Sequence, residues 1–280
     1  EYETAGPKML SLGAFIQQDK KNNHIVNRLG LNDAFAVQEL KYLLGKNIIP
    51  EFTILYISGN DFTVHRKGPK TIKGIEKLDK YLQEVLNSFP KWEDALKNYN
   101  WVIVGDSKQS PVIESKKEAL IDLKEILSEY RILKLGKPAG KEDEIVITAN
   151  ERMAYVYEIN GSISVKNIAE RLKKDQRIAW IAWKEKELIH VISGDHEGSF
   201  DFNSGGTYRD VYNQAWSIKG NTSILDLTLK NKNIHYGDYP DGLARLYGAL
   251  HSQKGEFLIV DAKHGYEFIG ESSPEHTGGG

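Results

Sequence analysis

The chain of 280 residues contains no cysteine, which excludes a disulfide framework and thiolate catalysis. No apolar run approaches the length of a membrane span. Its 37 basic and 39 acidic residues are interleaved, so neither a nucleic-acid-binding block nor an acidic tail is present. The sequence starts at Glu1 with no signal-peptide pattern. Localisation therefore stays open: extracytoplasmic or membrane-anchored if a targeting segment has been lost with the N-terminus, and cytoplasmic otherwise.

Apolar runs at Phe52–Ile57 and Trp101–Val104 predict two buried strands. Between them, Ile72–Phe89 has the 3.6-residue period of an amphipathic helix. Together these segments predict a strand–helix–strand unit with parallel strands. A third buried strand is predicted at Phe257–Val260, after a helix over Asp241–Ser252 that starts with an acidic N-cap.

The middle of the chain has the pattern of two hairpins and two helices. This pattern predicts an inserted α+β subdomain over residues 113–235, within an α/β core of residues 1–112 and 236–280. The predicted elements outside the strand–helix–strand unit are a helix over Asp33–Leu44, a helix over Lys116–Tyr130, a strand pair at Glu144–Thr148 and Met153–Ile159, a helix over Val165–Lys174, a hairpin of Ile178–Trp183 and Leu188–Ile192, and a loop over Ser193–Gly206.

Polar residues follow both strands of the predicted unit. Asp61 and His65 come after the first strand, and Asp106 comes directly after the second. Ligands gather at the carboxyl ends of strands in open α/β sheets, so we expect these side chains to meet there. A carboxylate and an imidazole suit Zn²⁺ and tolerate Mn²⁺, and two such metals are the usual clamp for displacement at phosphorus. A capping acid beside a structural histidine is the alternative interpretation of the same spacing.

These residues resemble a known family. The pattern Asp61-x-x-x-His65-x-x-Gly-Pro, a long helix, and then Gly-Asp106-Ser107-x-Gln109-Ser after a strand is similar to the alkaline phosphatase superfamily, and specifically to its type I phosphodiesterase/nucleotide pyrophosphatase branch. The segment Tyr-Pro-Asp-Gly-Leu-Ala-Arg that begins at Tyr239 fits bacterial members of the same family. The resemblance covers most of the chain and is least diagnostic over the insertion.

The resemblance implies an alkaline-phosphatase-like sheet core flanked by helices. It also implies a hydrolase of small-molecule phosphate esters with two divalent metal ions, Zn or Mn. Asp61 and His65 would bind one metal and Asp106 the other. Where many members have Asp-His, this chain has Asp106-Ser107, so Ser107 would hold a water instead of supplying a ligand.

The family's nucleophile and one further metal aspartate precede anything in this sequence, and its last metal histidine lies beyond a glycine-rich run. His276 is the candidate for that last ligand here. We therefore expect the chain to be a fragment of a longer enzyme and to be nearly inactive alone. A non-catalytic binding module with a degenerate metal site and a phospho-group transferase remain alternatives. The sequence does not determine the substrate, the choice between diester and monoester, or the oligomeric state.

Two further histidine positions receive structural interpretations. Asp195-His196 copies the family's Asp-His pair, but we expect it in a solvent-exposed polar loop. His190 alternates within a predicted strand and is expected to be a sheet-face residue.

Overall fold

The largest element of the structure is a mixed sheet of nine strands. The computed structural model describes residues 6–13, 15–22, 31–105, 109–270 and 278–279. Contacts divide the chain into two units, Glu1–Gln109 and Ser110–Gly280, and the sheet lies in the second. The chain is therefore mixed α/β, with a multistranded sheet flanked by helices.

The described part of the first unit is helical. Its helices are α1 (Asp33–Gly45), α2 (Gly59–Lys67), α3 (Lys73–Leu86) and α4 (Trp92–Asn98). Its small apolar core centres on Val37 and Leu40 of α1 and Val85 of α3. Leu55 and Trp101 pack against this core from the segments that flank α2 and α4.

The second unit contains all the strands and four further helices. The strands are β1 (Ser110–Pro111), β2 (Leu120–Ile121), β3 (Ile145–Asn150), β4 (Met153–Glu158), β5 (Ile178–Glu185), β6 (Leu188–Ile192), β7 (Phe200–Arg209), β8 (Ala215–Gly220), β9 (Leu227–Lys230), β10 (Asn233–Tyr236), β11 (Glu256–Ala262), β12 (Glu267–Phe268) and β13 (Gly278–Gly279). The helices are α5 (Lys116–Ala119), α6 (Leu123–Ile126), α7 (Val165–Leu172), α8 (Gly242–His251) and a 3-10 turn at Thr222–Leu225.

The strand order in the nine-stranded sheet is β3-β4-β11-β5-β6-β7-β10-β9, with β8 paired to β7. Strands β7 and β10 pair in parallel at Arg209 and Asn233, whereas the other neighbouring strands of this sheet run antiparallel. Strand β11 lies between the hairpin β3–β4 and the hairpin β5–β6, and it pairs with β4 and β5.

Side-chain alternation explains why the sheet is covered on both faces. Along β11, Leu258 and Val260 enter one core together with Ile168 and Leu172 of α7, whereas Ile259 enters a second core together with Leu250 of α8. Successive side chains of a strand point to opposite faces, so a strand buried on both faces is a continuous apolar run. The helices α7 and α8 therefore cover opposite faces of the sheet.

Several predicted elements are confirmed with small shifts at their ends. These are the helices α1, α3, α7 and α8, the hairpins β3–β4 and β5–β6, and the buried strand β11. The N-cap of α8 differs from the prediction. Asp241 has a left-handed backbone with φ of 55° and no side-chain capping bond, and its Oδ1 instead accepts a hydrogen bond from Gln214 Nε2 at 3.2 Å.

The two predicted strands of the first unit are wrong. Residues Phe52–Ile57 and Trp101–Val104 form no strand, and Phe52, Ile54 and Val102 are about four-fifths exposed at 82%, 78% and 83%. No regular strand forms among the described residues of this unit, so an extended segment there has no ladder of backbone hydrogen bonds to join. The parallel strand–helix–strand unit is consequently not formed.

Two predictions in the second unit are also wrong. The single helix over Lys116–Tyr130 is divided into α5, β2 and α6, because Leu120 and Ile121 pair with β12 and Asp122 caps α6 through hydrogen bonds to Lys124 N and Glu125 N. The predicted loop over Ser193–Gly206 contains the start of β7, whose Phe200 and Phe202 are fully buried.

The division into units also differs from the predicted domains. Residues 236–280 fall in the same unit as residues 113–235, because β11 is hydrogen-bonded between β4 and β5. In the described part of the chain, no helix combines the length and the apolar composition needed to cross a membrane.

Candidate metal site

Asp61 and His65 lie on helix α2, not in the loop after a strand that the sequence predicts. Residues four apart are neighbours on one face of a helix. The Oδ1 atom of Asp61 is accordingly 3.1 Å from Nε2 of His65. The first turn of α2 contains an acid, Asp61, and its last turn contains the basic residues His65, Arg66 and Lys67. Acids near the N-terminus and bases near the C-terminus interact favourably with the helix macrodipole, which favours a helix in this segment.

The start of α2 is held by a buried carboxylate. Asp33, 8% exposed, accepts hydrogen bonds at Oδ1 from Ser58 N at 3.0 Å and Gly59 N at 3.2 Å. Backbone N–H groups at a helix N-terminus lack partners within the helix, and an anion satisfies them. A Cβ atom on Gly59 would lie 2.2 Å from Asp33 Oδ2, so glycine permits this close approach. Asp33 therefore fixes where α2 begins, two residues before Asp61.

Helix α2 also packs closely on the first turn of α3. A Cβ atom on Gly74 would lie 2.7 Å from Asn60 Cα and 2.3 Å from Asn60 Oδ1. Val64 buries its side chain on the inner side of α2. At the other end, Gly68 N donates to Val64 O at 2.8 Å, and Gly68 adopts a φ of 80° that ends the helix. Asp61 and His65 are thus presented on a helix fixed at its start and against its neighbour.

Gln109, which is distant in sequence but belongs to the same unit, contacts both Asp61 and His65. Its Nε2 atom lies 3.2 Å from Asp61 Oδ1 and 3.0 Å from His65 Nε2. Its Oε1 atom is buried and has no hydrogen-bond partner among the described residues. The Asp61 side chain is 47% exposed and the His65 side chain 20% exposed, so the group is open to solvent on the carboxylate side.

Gln109 belongs to the second segment that the sequence analysis singles out, but no role was predicted for it. Its contacts with Asp61 and His65 span 48 and 44 residues of sequence. The structure therefore brings Gln109 to the Asp61–His65 pair. Asp106 and Ser107 in that segment lie outside the described residues, as does His276. Their predicted roles stay predictions.

The group offers three side chains that can hold a divalent cation: a carboxylate, an imidazole and a carboxamide. Within the described residues, no cluster of three or more His, Cys, Asp or Glu side chains has the arrangement of a metal site. Asp61 and His65 supply one hard oxygen and one borderline nitrogen, which suits Zn²⁺ or Mn²⁺. An amide oxygen from Gln109 would add a second hard ligand, and that buried oxygen has no hydrogen-bond partner among the residues that the structure describes.

The histidine and acid positions of the second unit have structural roles. The Oγ atom of Ser193 accepts hydrogen bonds from Asp195 N and His196 N at 3.0 and 3.1 Å, which forms the turn after β6. The hydrogen bond from Lys263 Nζ, 2.8 Å from Asp195 Oδ1, holds the pKa of Asp195 below its usual value. Asp195 is 46% exposed, in agreement with the predicted polar loop.

His190 lies on β6, as predicted, and its partners explain its position. Its Nδ1 atom is 2.8 Å from Asp201 Oδ1 on β7, directly across the strand pair, and its ring stacks on Trp183 at a centroid distance of 5.3 Å. Hydrogen-bonded and aromatic side-chain pairs across a strand pair stabilise sheets. This contact accounts for His190 without a metal or a substrate.

A buried ion pair joins the end of β11 to the turn between β3 and β4. Arg152 donates from Nη2 to Asp261 Oδ2 at 3.1 Å, and both side chains are 12% exposed. Burial raises the pKa of Asp261 to about 7 in spite of the opposing effect of Arg152. This ion pair accounts for an acid at the end of β11 as a structural residue of the second unit.

Comparison of this chain with protein-family models, with curated proteins and with solved structures gives no match.

Proposed function

We propose that the chain is the metal-binding part of a hydrolase of small-molecule phosphate esters, of the phosphodiesterase/nucleotide pyrophosphatase type. The observation that carries the proposal is the position of Gln109, which stands in the second motif of the resemblance and lies 3.0–3.2 Å from Asp61 and His65 of the first. We propose an alkaline-phosphatase-like core on the resemblance of the sequence motifs alone.

In this proposal two divalent ions, zinc or manganese, are the cofactors. Asp61 and His65 would hold one of them, and the resemblance assigns Asp106, with Ser107 beside it, to the other; His276 is the candidate for the family's last metal histidine. Bound divalent ions at such a site polarise the phosphoryl oxygen and stabilise charge on the attacking and leaving oxygens.

The helix that carries Asp61 and His65 positions them as metal ligands. Helix α2 fixes the spacing between Asp61 Oδ1 and His65 Nε2, because both ends of the helix are held by Asp33 and Gly68. A rigid element positions ligands more reproducibly than a loop does. The exposed side of Asp61 leaves room for a phosphate ester to approach.

The test is hydrolysis of bis(4-nitrophenyl) phosphate and 4-nitrophenyl phosphate by the full-length gene product, with Zn²⁺ or Mn²⁺ and after chelation. We expect metal-dependent turnover that falls about 100-fold in Asp61→Asn and in His65→Gln, since loss of groups around a metal commonly costs 10–100-fold. Asp79→Asn is the matched control, because Asp79 on α3 also accepts a hydrogen bond from a residue four positions later, Gln83. Turnover that survives chelation, or that is equal in the three variants, would contradict the proposal.

A non-catalytic binding module is the second candidate. It is favoured by one observation: the side chain that completes the Asp61–His65 pair among the described residues is an amide and not a third acid or histidine. Metal binding that depends on Asp61, combined with no hydrolysis of either ester by the full-length gene product, would select this candidate.

A further inference from the structure

The contacts among Asp61, His65 and Gln109 form a closed triangle of three atoms. Gln109 Nε2 is 3.2 Å from Asp61 Oδ1 and 3.0 Å from His65 Nε2, and the latter two atoms are 3.1 Å apart. Each of these distances is a hydrogen-bond distance. Three mutually adjacent atoms at these distances need a donor and an acceptor on every side of the triangle.

With Asp61 as a carboxylate, no placement of hydrogens satisfies all three sides. If the Gln109 amide donates to both partners, His65 Nε2 presents a lone pair, which then faces the carboxylate oxygen. If His65 instead carries a hydrogen on Nε2 and donates it to Asp61, that N–H opposes the amide N–H of Gln109. One side of the triangle is repulsive in either arrangement.

Turning the amide does not remove the conflict. Side-chain amide orientations are assigned from their partners, so the flipped form must be considered. In the flipped form Oε1 replaces Nε2 and accepts from a protonated His65, but it then lies beside the carboxylate oxygen of Asp61. Two acceptors face each other across that side. In the orientation observed, the conflict has a second cost, because Oε1 is buried and no residue in the described part of the chain forms a hydrogen bond with it.

A divalent cation resolves all of these conflicts together. Asp61 Oδ1, the lone pair of His65 Nε2 and an amide oxygen are all metal ligands, whereas an amide nitrogen is only a donor. In tetrahedral sites with bonds of about 2.0–2.1 Å, neighbouring ligand atoms are about 3.3–3.4 Å apart. The observed sides of 3.0–3.2 Å are slightly shorter, so the three positions fit one face of such a site after a small expansion.

We propose that Gln109 is a metal ligand of the Asp61–His65 site and that its amide turns by half a rotation when the metal binds. Without metal the amide NH₂ group takes the place of the cation between the carboxylate and the imidazole. With metal the amide oxygen replaces it, and the buried Oε1 atom gains a partner. The inference rests on the proposed function only in assuming that Asp61 and His65 bind a metal.

An amide oxygen at this position affects which metal is preferred. Oxygen ligands suit Mn²⁺, whereas nitrogen ligands suit Zn²⁺. Replacement of Gln109 by histidine should therefore raise the affinity for Zn²⁺ relative to that for Mn²⁺. Replacement by glutamate keeps an oxygen ligand and adds charge, so it should retain binding of both metals.

The experiment is calorimetric titration of Zn²⁺ and Mn²⁺ into the full chain and into Gln109→Leu, Gln109→Glu and Gln109→His. We expect Gln109→Leu to weaken both metals at least about tenfold, Gln109→Glu to retain them, and Gln109→His to shift the Zn²⁺-to-Mn²⁺ affinity ratio at least about tenfold toward Zn²⁺. Gln83→Leu is the matched control, because Gln83 also donates its amide to an aspartate on a helix of the same unit. Circular dichroism of each metal-free variant checks that it is folded.

The outcomes separate this inference from the proposed function. If Asp61→Asn and His65→Gln bind metal as tightly as the parent chain, the metal site itself is wrong. If those two variants lose affinity while Gln109→Leu retains it, only the role of Gln109 is overturned. A purely structural role for Gln109 would lower the melting temperature of Gln109→Leu and leave the Zn²⁺-to-Mn²⁺ ratio of Gln109→His unchanged, which would also overturn the inference.

Discussion

Replacing Asp210 with asparagine should destabilise the second unit by about 3 kcal/mol, as a sum over its hydrogen bonds shows. Asp210 directly follows β7 and is 7% exposed. Its Oδ1 atom accepts from Tyr212 N at 3.0 Å and Gln214 N at 2.9 Å. Its Oδ2 atom accepts from Trp216 Nε1 and Tyr236 Oη, both at 2.9 Å.

Asparagine cannot reproduce this arrangement, because one of its two terminal atoms is a donor. If the amide oxygen faces the backbone, its NH₂ group faces Trp216 and Tyr236. The hydroxyl of Tyr236 can turn to accept, but the indole N–H of Trp216 cannot. A buried donor without a partner costs about 1–3 kcal/mol, and the lost charge-assisted bonds add about 1–2 kcal/mol.

The assay is urea unfolding at pH 7, followed by far-ultraviolet circular dichroism. A loss of about 3 kcal/mol corresponds to a fall of roughly 6–12 °C in melting temperature for a unit of this size. Asp238→Asn serves as the control, because Asp238 is exposed and should change stability by less than about 0.5 kcal/mol. In a double-mutant cycle, Trp216→Phe removes the orphaned donor, so the double variant should be less destabilised than the sum of the two single variants.

The same hydrogen bonds make the stability of the second unit depend on pH. Burial alone would raise the pKa of Asp210, but the bonds from Trp216, Gln214, Tyr236 and Tyr212 outweigh it and hold this pKa below the usual 3.8. The stabilisation is therefore complete above pH 3.8 and is lost as the pH falls through the folded-state pKa. Below about pH 4, the stability of the Asp210→Asn variant should fall less steeply with pH than that of the parent chain. Equal acid sensitivity in both proteins, or a destabilisation below about 1 kcal/mol at pH 7, would refute the reasoning.

Three further substitutions test other contacts. Gly74→Ala should cost about 1–3 kcal/mol and weaken metal binding, because its Cβ would lie 2.7 Å from Asn60 Cα and would push α2 away from α3. Gly248→Ala, in helix α8 with nothing within 4 Å of its Cβ, should instead gain up to about 1 kcal/mol. Ser193→Ala should cost about 2 kcal/mol, because Ser193 Oγ donates to Ala179 O at 2.6 Å and accepts from two backbone N–H groups. Chemical denaturation measures all three; a neutral Gly74→Ala would contradict the close helix packing.

Segments whose neighbours are close in sequence could be predicted well. The hairpins β3–β4 and β5–β6 and the amphipathic helix α7 depend on periodicity and on short turns, both of which are visible in the chain. Strand β11 could also be predicted, because a run buried on both faces is continuously apolar. Its partners could not, since they lie about a hundred residues away, and for this reason the predicted domain boundaries differ from the observed units.

The two wrong strand predictions and the missed strand have different physical causes. The apolar runs at Phe52–Ile57 and Trp101–Val104 have the composition of strands, but a strand exists only when a partner supplies its backbone hydrogen bonds. Strand β7 was missed for the opposite reason: Gly205 and Gly206, both with positive φ, accommodate an irregular register with β8 and resemble a loop in sequence.

The candidate site was predicted in part. The spacing of Asp61 and His65 brings the pair together on a helix as well as beyond a strand, so their proximity did not depend on the wrong strand prediction. The role of Gln109 was not predicted, although it stands in the second motif, because the resemblance gives it no role and it reaches its partners over 44 and 48 residues of sequence.

The place of β11 in the sheet has a consequence for synthesis on the ribosome. Residues 145–192 leave the ribosome before β11 and can form both hairpins. Strands β4 and β5 nevertheless lack their shared neighbour until Glu256–Ala262 has left the exit tunnel. Until then each hairpin presents an unpaired strand edge, which is a condition that favours aggregation of nascent chains. Completion of the nine-stranded sheet is therefore a late event that follows translation of β11, and translation-arrested chains ending before and after residue 262 should differ sharply in protease resistance.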